Sequence, residues 1–253
     1  MYLDSKERRM KPEDLRFFDD NTDDITSIIL ETLYDCPRKL LDDGQLVKDM
    51  PYSVYCKVYH SYMKNKIVYK DQARSSNLCR ILEYFYKKYL NINKTYKFLD
   101  VGCADGVPVA FMDNYPNIIA SGCDIDENWV AYCISKNIDC FLADINDINT
   151  FKHKKYDIVF ASKVLNLTKN FKESLMNMIN LTKKNGYVIL LSGFAGVIGS
   201  ENHYCAIETP SIIIEWSKLF DMKVDLIEYI THVDHELSTL ISNDEGLFIF
   251  KKK

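Results

Sequence analysis

From about Asp71 onward, short apolar runs of strand type alternate with segments whose apolar residues recur at helical spacing. This alternation limits the fold more than any other feature of the chain. The pattern predicts a helix over Ser76–Tyr89 leading into a strand at Tyr96–Asp100. A helix at Pro108–Asn114 then leads to a strand at Ile118–Asp124, and a helix at Glu127–Lys136 to a strand at Ile138–Leu142. A strand at Tyr156–Ala161, a helix at Asn170–Leu181 and a strand at Tyr187–Ser192 follow. Such β-α-β succession implies an α/β fold with a parallel sheet and helices on both faces. The ending differs. Helix Pro210–Phe220 has Thr209 as its cap and proline at its first position. After it, Lys223–Tyr229 and Gly246–Lys251 read as strands too close together for a helical crossover, so they are expected to pair antiparallel.

Residues 1–75 have a different texture. One amphipathic helix is expected at Asp23–Asp35, with Ile25, Ile28, Ile29 and Leu33 on one face and Pro37 ending it. A second, Tyr52–Lys64, sets Tyr52, Tyr55, Tyr59 and Tyr62 at near-helical spacing. Those rings are expected to pack a small helical N-terminal cap, 1–75, against a larger domain, 76–253; the alternative is that some hydroxyls line a pocket. With 47% apolar and 27% charged residues the chain reads as globular. Its net charge of −4 disfavours nucleic acid as a partner, because phosphates want a positive field. The charged N-terminus lacks the apolar core of a signal peptide, and the run Tyr187–Gly199 is interrupted and too short to span a bilayer. A cytoplasmic protein with no membrane association is expected, and homo-oligomerisation is left open. Eight cysteines form no CxxC pair, so reduced, mostly buried thiols are expected and no metal site.

The stretch "LDVGCADG" places small residues at the exit of the first strand. In open α/β sheets ligands bind at the carboxyl ends of the strands, and small residues let the backbone approach closely. The following helix is expected to offer free amides. A nicotinamide fingerprint, GxGxxG, fails here: counted from Gly102, its second and third glycines are Ala104 and Val107. The spacing matches D-x-G-x-G-x-G instead, as Asp100, Gly102, Ala104 and Gly106. Alanine at the central position costs little if its φ is negative and is strained if φ is positive.

With these residues in place, the chain resembles the class I S-adenosylmethionine (SAM)-dependent methyltransferases over most of residues 70–253. "LDVGCADG" is similar to their first motif, which implies that Asp100, Gly102, Cys103, Ala104 and Gly106 lie against the cofactor. "IIASGCD" ends in Asp124, at the family's acid for the ribose hydroxyls, with Ile125 over the adenine. "FLADI" supplies Asp144 and Ile145 for the adenine amino group, and "YDIVFASKVLNL" resembles the fourth motif, with Ser162 beyond the strand. "LTKKNGYVILLS" resembles the turn that begins the fifth strand. Taken singly, Asp124 also reads as a helix cap and Asp144 as a turn acid. The resemblance implies a Rossmann-like methyltransferase fold: a mostly parallel seven-stranded sheet with an antiparallel last strand. Tyr69 and Arg74 are placed to reach the cofactor carboxylate, as cap residues do in similar enzymes; a surface ion pair is the alternative for Arg74.

Methyl transfer needs alignment of the reacting atoms, and a base only where the acceptor keeps its proton. The sequence lacks [DN]PP[YFW] and a Pro-Cys nucleophile, which disfavours DNA bases, so a small polar acceptor is expected. Many relatives carry a histidine after the fourth strand, where this chain has Asn166. The acceptor side is assigned to the loop 193–208, with His203 as candidate base beside Tyr204. His232 and His235 have the spacing of a metal pair but lack a third ligand, so a cap or surface role is expected. The segment 52–73 loosely resembles sugar-modifying bacterial enzymes, which points to an oxygen of a sugar or phosphorylated intermediate in surface-polysaccharide (capsule) synthesis. Alternatives are N-methylation of a small amine or amino-sugar, and a non-catalytic SAM-binding partner subunit.

Overall fold

The computed structural model describes residues 77–193, 210–219, 224–231, 237–241 and 245–253. All of them belong to the unit Gln72–Lys253. The expected cap 1–75 and the helices at 23–35 and 52–64 lie outside the described residues.

Seven strands form one sheet in the order β3-β2-β1-β4-β5-β7-β6. They are β1 (Tyr96–Val101), β2 (Ile118–Asp124), β3 (Cys140–Leu142), β4 (Tyr156–Ser162), β5 (Thr182–Gly193), β6 (Val224–Ile230) and β7 (Glu245–Lys252). The first five are parallel, and β7 runs antiparallel to both β5 and β6. Strand order reverses between β1 and β4, so a crevice opens at their carboxyl ends. The sheet expected from the alternation is therefore the sheet observed, including the antiparallel close.

The strands read as near-continuous apolar runs because both faces are covered. Along β4, Ile158 and Phe160 enter one core and Val159 and Ala161 the other; along β5, Ile189 and Leu191 alternate with Val188 and Leu190 in the same way. The first core is closed by α1 (helical over 77–89) through Leu78, Ile81, Leu82 and Phe85, and by α2 (Val107–Met112) through Val109 and Met112. In the second core, Leu175, Met178 and Ile179 of α4 (Phe171–Leu181) pack with Ile213 of α5 (Pro210–Leu219). Each fully buried side chain of this kind contributes roughly 1.5–3 kcal/mol. Helix α3 (Glu127–Ser135) starts at Asp126, whose carboxylate accepts the Asn128 amide.

Among the strand starts, two depart most from the sequence pattern. β3 begins at Cys140 and not at Ile138, because the Ile138 amide bonds the Cys133 carbonyl and still belongs to the close of α3. β5 starts at Thr182, which pairs with Tyr156 before the register shifts and resumes at Ile158 against Tyr187. Among the described residues no helix is long and apolar enough to cross a membrane.

Candidate functional site

The loop leaving β1 is a succession of left-handed residues: Gly102 at φ 69°, Ala104 at 45° and Gly106 at 72°. Its backbone is fastened to β2. The amides of Gly102 and Cys103 both donate to the Cys123 carbonyl, at 2.8 and 3.0 Å, and the Gly106 amide donates to the Cys103 carbonyl at 2.8 Å. Gly102 is required twice over, since a β-carbon there would also sit 2.3 Å from Cγ2 of Val164. Ala104 stands on the strained side of the alternative left open by the sequence; a left-handed alanine costs roughly 1–2 kcal/mol.

Two contacts hold Ala104 there. Its amide donates to Oδ2 of Asp124 at 3.0 Å, and its carbonyl accepts a hydrogen bond from the Cys133 thiol at 3.2 Å. Asp124, the last residue of β2, is buried and also accepts the Asp126 amide through Oδ1 at 3.0 Å. The helix-cap alternative for Asp124 is thereby taken by Asp126. Both Asp124 oxygens therefore accept backbone amides at the carboxyl end of β2. Beside it Ile125 is 41% exposed, a large apolar side chain standing open at the sheet edge. The Asp100 carboxyl, at the end of β1, is pushed well above the usual range by burial and then by the charges of Asp124 and Asp105.

Asp144 follows β3 and closes a turn: Oδ1 accepts the Asn146 amide at 2.8 Å and the Asn146 side-chain amide at 2.6 Å. The turn-acid alternative is thus realised, through one of its two oxygens. The side chain of Ile145 is buried in the second core, and its backbone carbonyl accepts Asn177 Nδ2 at 2.8 Å. Cys103 offers only its backbone to the loop, because its thiol is turned into the first core. The helix after the loop is shorter than expected, and its Val107 amide is already bonded to Oδ1 of Asp105 at 3.2 Å.

Across the crevice, Ser162 ends β4 with a buried hydroxyl that has no hydrogen-bond partner. Asn166, fully buried, donates Nδ2 to the Gly193 carbonyl at 3.1 Å and accepts the Ser192 hydroxyl at 3.0 Å. Its amide ties the turn after β4 to the end of β5. Two residues here escaped the sequence reading. Lys163 sits in a left-handed conformation just past β4, and its ammonium pairs with the buried carboxylate of Glu245, the first residue of β7. A lysine directly after the "YDIVFAS" strand was the available signal; its acidic partner lies too far along the chain to be read. Tyr69, Arg74, His203, Tyr204, His232 and His235 lie outside the described residues.

The cysteines described are free thiols, four of them buried, as the sequence led one to expect. What spacing did not reveal is a convergence. Cys103, Cys133 and Cys140 bring their sulfurs within 4.8 Å of one another.

Sheet order, the antiparallel β7 and the glycine loop at the switch point define a Rossmann-like methyltransferase fold. The family model described as methionine biosynthesis protein MetW matches residues 83–194. An uncharacterized protein of Methanocaldococcus jannaschii is 27% identical over 154 residues, which is 56% of this chain and 42% of that one. Among solved structures, the plantazolicin methyltransferase BamL in complex with a triazolic desmethylPZN analog and S-adenosylhomocysteine (SAH) is similar at a TM-score of 0.60 and 14% identity, covering 88% of this chain and 99% of that one. The N-methyltransferase NodS of Bradyrhizobium japonicum, in complex with SAH, is similar at a TM-score of 0.53 and 14% identity, covering 73% of this chain and 90% of that one.

Proposed function

We propose that the chain binds SAM in the crevice beside β1 and transfers its methyl group to a small polar acceptor. The observation that carries this reading is the bond between the Ala104 amide and Asp124, which brings the left-handed loop and a buried acid to one edge of the sheet. The residues present fit the cofactor: Asp124 sets a carboxylate at the end of β2 that would face the ribose hydroxyls, Ile125 offers an apolar face, and Asp144 has a second oxygen for an amino group. Bound there, the cofactor supplies a methyl group activated by a sulfonium. The protein's part is to align the acceptor and exclude water. SAH in the structures of BamL and NodS supports the same reading.

For the acceptor, the leading class is an oxygen of a sugar or phosphorylated intermediate in bacterial surface-polysaccharide synthesis, supported by the segment 52–73 and the net charge of −4. His203 is its base and Tyr204 an acceptor-side contact, while Tyr69 and Arg74 hold the cofactor carboxylate. A small amine is the second reading. It is favoured by Asn166, whose amide is consumed in tying the turn after β4 to β5 where many relatives carry a histidine. An amine needs none once deprotonated. The protein acts in the cytoplasm on a free metabolite.

Calorimetry with SAM, SAH and NADH tests the cofactor. SAM and SAH should bind at one site and raise the melting temperature, with NADH silent; binding of NADH alone would reject the reading. Incubation with methyl-labelled SAM against sugars, nucleotide-sugars, phosphorylated metabolites and amines then identifies the acceptor. His203→Ala should slow turnover of a hydroxyl acceptor with cofactor affinity intact. Binding without turnover across that panel would favour the non-catalytic partner subunit.

A further inference from the structure

Three thiols that are distant in sequence meet beneath the cofactor loop. Cys103 belongs to the loop itself, Cys133 to α3 and Cys140 to the start of β3. All three are buried, at 3%, 0% and 7% exposure. The Cys103 and Cys140 sulfurs are 3.2 Å apart, and the three sulfurs lie within 4.8 Å of one another. From this geometry we infer that Cys103, Cys133 and Cys140 form a binding site for a soft, thiolate-seeking d10 metal ion.

The argument is one of distances and ligand chemistry. A metal–thiolate bond of about 2.3 Å, repeated three times in a plane, sets the sulfurs about 4 Å apart. That separation falls between the 3.2 Å of the Cys103–Cys140 pair and the 4.8 Å bound on all three sulfurs. Small adjustments of χ1 would bring the ion into the plane. A buried free cysteine is ordinarily a small hydrophobe, and one such residue would need no other account. Here the surroundings are cut to admit the sulfurs. A β-carbon on Gly122 would stand 2.7 Å from the Cys103 sulfur, and one on Gly106 would stand 2.9 Å from the Cys133 sulfur. Gly122 also pairs with Cys140 across β2 and β3, so the glycine and two of the thiols share one patch of sheet.

Three sulfurs and no hard oxygen donor in the cluster select for softness, which favours copper(I) over magnesium, calcium or manganese. Zinc(II) shares the thiolate chemistry but prefers four ligands; it would need an additional donor. Loading requires no redox step. Three S–H bonds release their protons to solvent as three metal–sulfur bonds form. The Cys133 proton is the one now donated to the Ala104 carbonyl, so occupancy of the site is transmitted to the loop.

Anaerobic titration of the reduced full-length protein with copper(I) against a chromogenic copper(I) chelator, followed by X-ray absorption, tests the site. One equivalent held against the chelator with three sulfur neighbours is expected. Zinc(II) taken up with three sulfurs and one light donor would support the same site with the divalent ion as its occupant. Cys133→Ser and Cys140→Ser should each abolish the one-equivalent step. A Cys36→Ser/Cys56→Ser/Cys205→Ser variant and Cys79→Ser should keep it. Should the cluster variants fail to fold, alkylation of the wild-type protein gives the same answer. In urea short of the unfolding midpoint, where local opening exposes the buried thiols, metal should slow labelling of the peptides carrying Cys103, Cys133 and Cys140. No uptake, uptake unchanged in the cluster variants, or protection confined to other cysteines would overturn the assignment.

Discussion

The Ala104 amide and the Asp124 carboxylate meet at 3.0 Å, and through that bond the loop after β1 is held to the end of β2. One oxygen of Asp124 thus organises the loop while the other fixes the start of the next turn through Asp126. The acid proposed to read a ribose is also a structural member of the crevice.

Asp124→Ala should therefore act on both counts. Losing charge-assisted acceptor bonds, each about 1.5–3 kcal/mol, predicts at least a tenfold fall in SAM affinity by calorimetry. Melting temperature without ligand should fall as well. Unchanged affinity in a folded variant would remove Asp124 from the site.

Gly102→Ala forces a left-handed alanine and drives a β-carbon toward Val164. Backbone strain and overpacking together predict a loss of about 2–4 kcal/mol in denaturant unfolding. In a cycle with Val164→Ala the packing part should be recovered and the backbone part retained. Full recovery would mean that the φ of 69° carries no cost.

Ala104→Gly is the opposite case. Relief of about 1–2 kcal/mol of strain is partly offset by the extra freedom of glycine in the unfolded chain, so a net gain of about 0.5–1 kcal/mol is expected. A lower melting temperature in this variant would show that Ala104 is not strained.

Glu228 on β6 accepts hydrogen bonds from Tyr84 at 2.6 Å, from Lys88 at 2.7 Å and from Tyr89, and so joins β6 to α1. Burial works to raise its pKa, but the bonds from Lys88, Tyr84 and Tyr89 outweigh it and hold the carboxyl below its ordinary 4.5. A depressed acid contributes stability that is complete above its unfolded pKa and lost as pH falls through the lower folded one. Glu228→Gln should cost about 1–3 kcal/mol at neutral pH. Below pH 4.5 the gap from wild type should close. Urea unfolding across that acid window checks both.

Asp100 runs the other way. Its folded pKa is raised above 3.8 by burial and by Asp124 and Asp105, so its share of stability is complete below that value and declines as pH rises. Asp100→Asn should stabilise the ligand-free protein at neutral pH and flatten the pH dependence of urea unfolding above 3.8. A destabilised variant would show that the ionised carboxylate is needed by the fold.

The strands were legible because β1, β4 and β5 are covered on both faces, which writes them as unbroken apolar runs bounded by polar turns. The glycine loop was legible because its demands fall on neighbouring residues. Where a residue's surroundings come from elsewhere, the reading slipped. Ile138 carried strand character but was held by the carbonyl of Cys133 at the end of α3.

By itself, the sequence determined the alternation of elements, the parallel sheet with its antiparallel close, and the position of the loop, since periodicity and backbone preference act over a few residues. Only the tertiary structure decided the sign of φ at Ala104, the pairing of Lys163 with Glu245 and the meeting of Cys103, Cys133 and Cys140. These depend on which strands become neighbours, and strand order is set by the packing of the whole sheet.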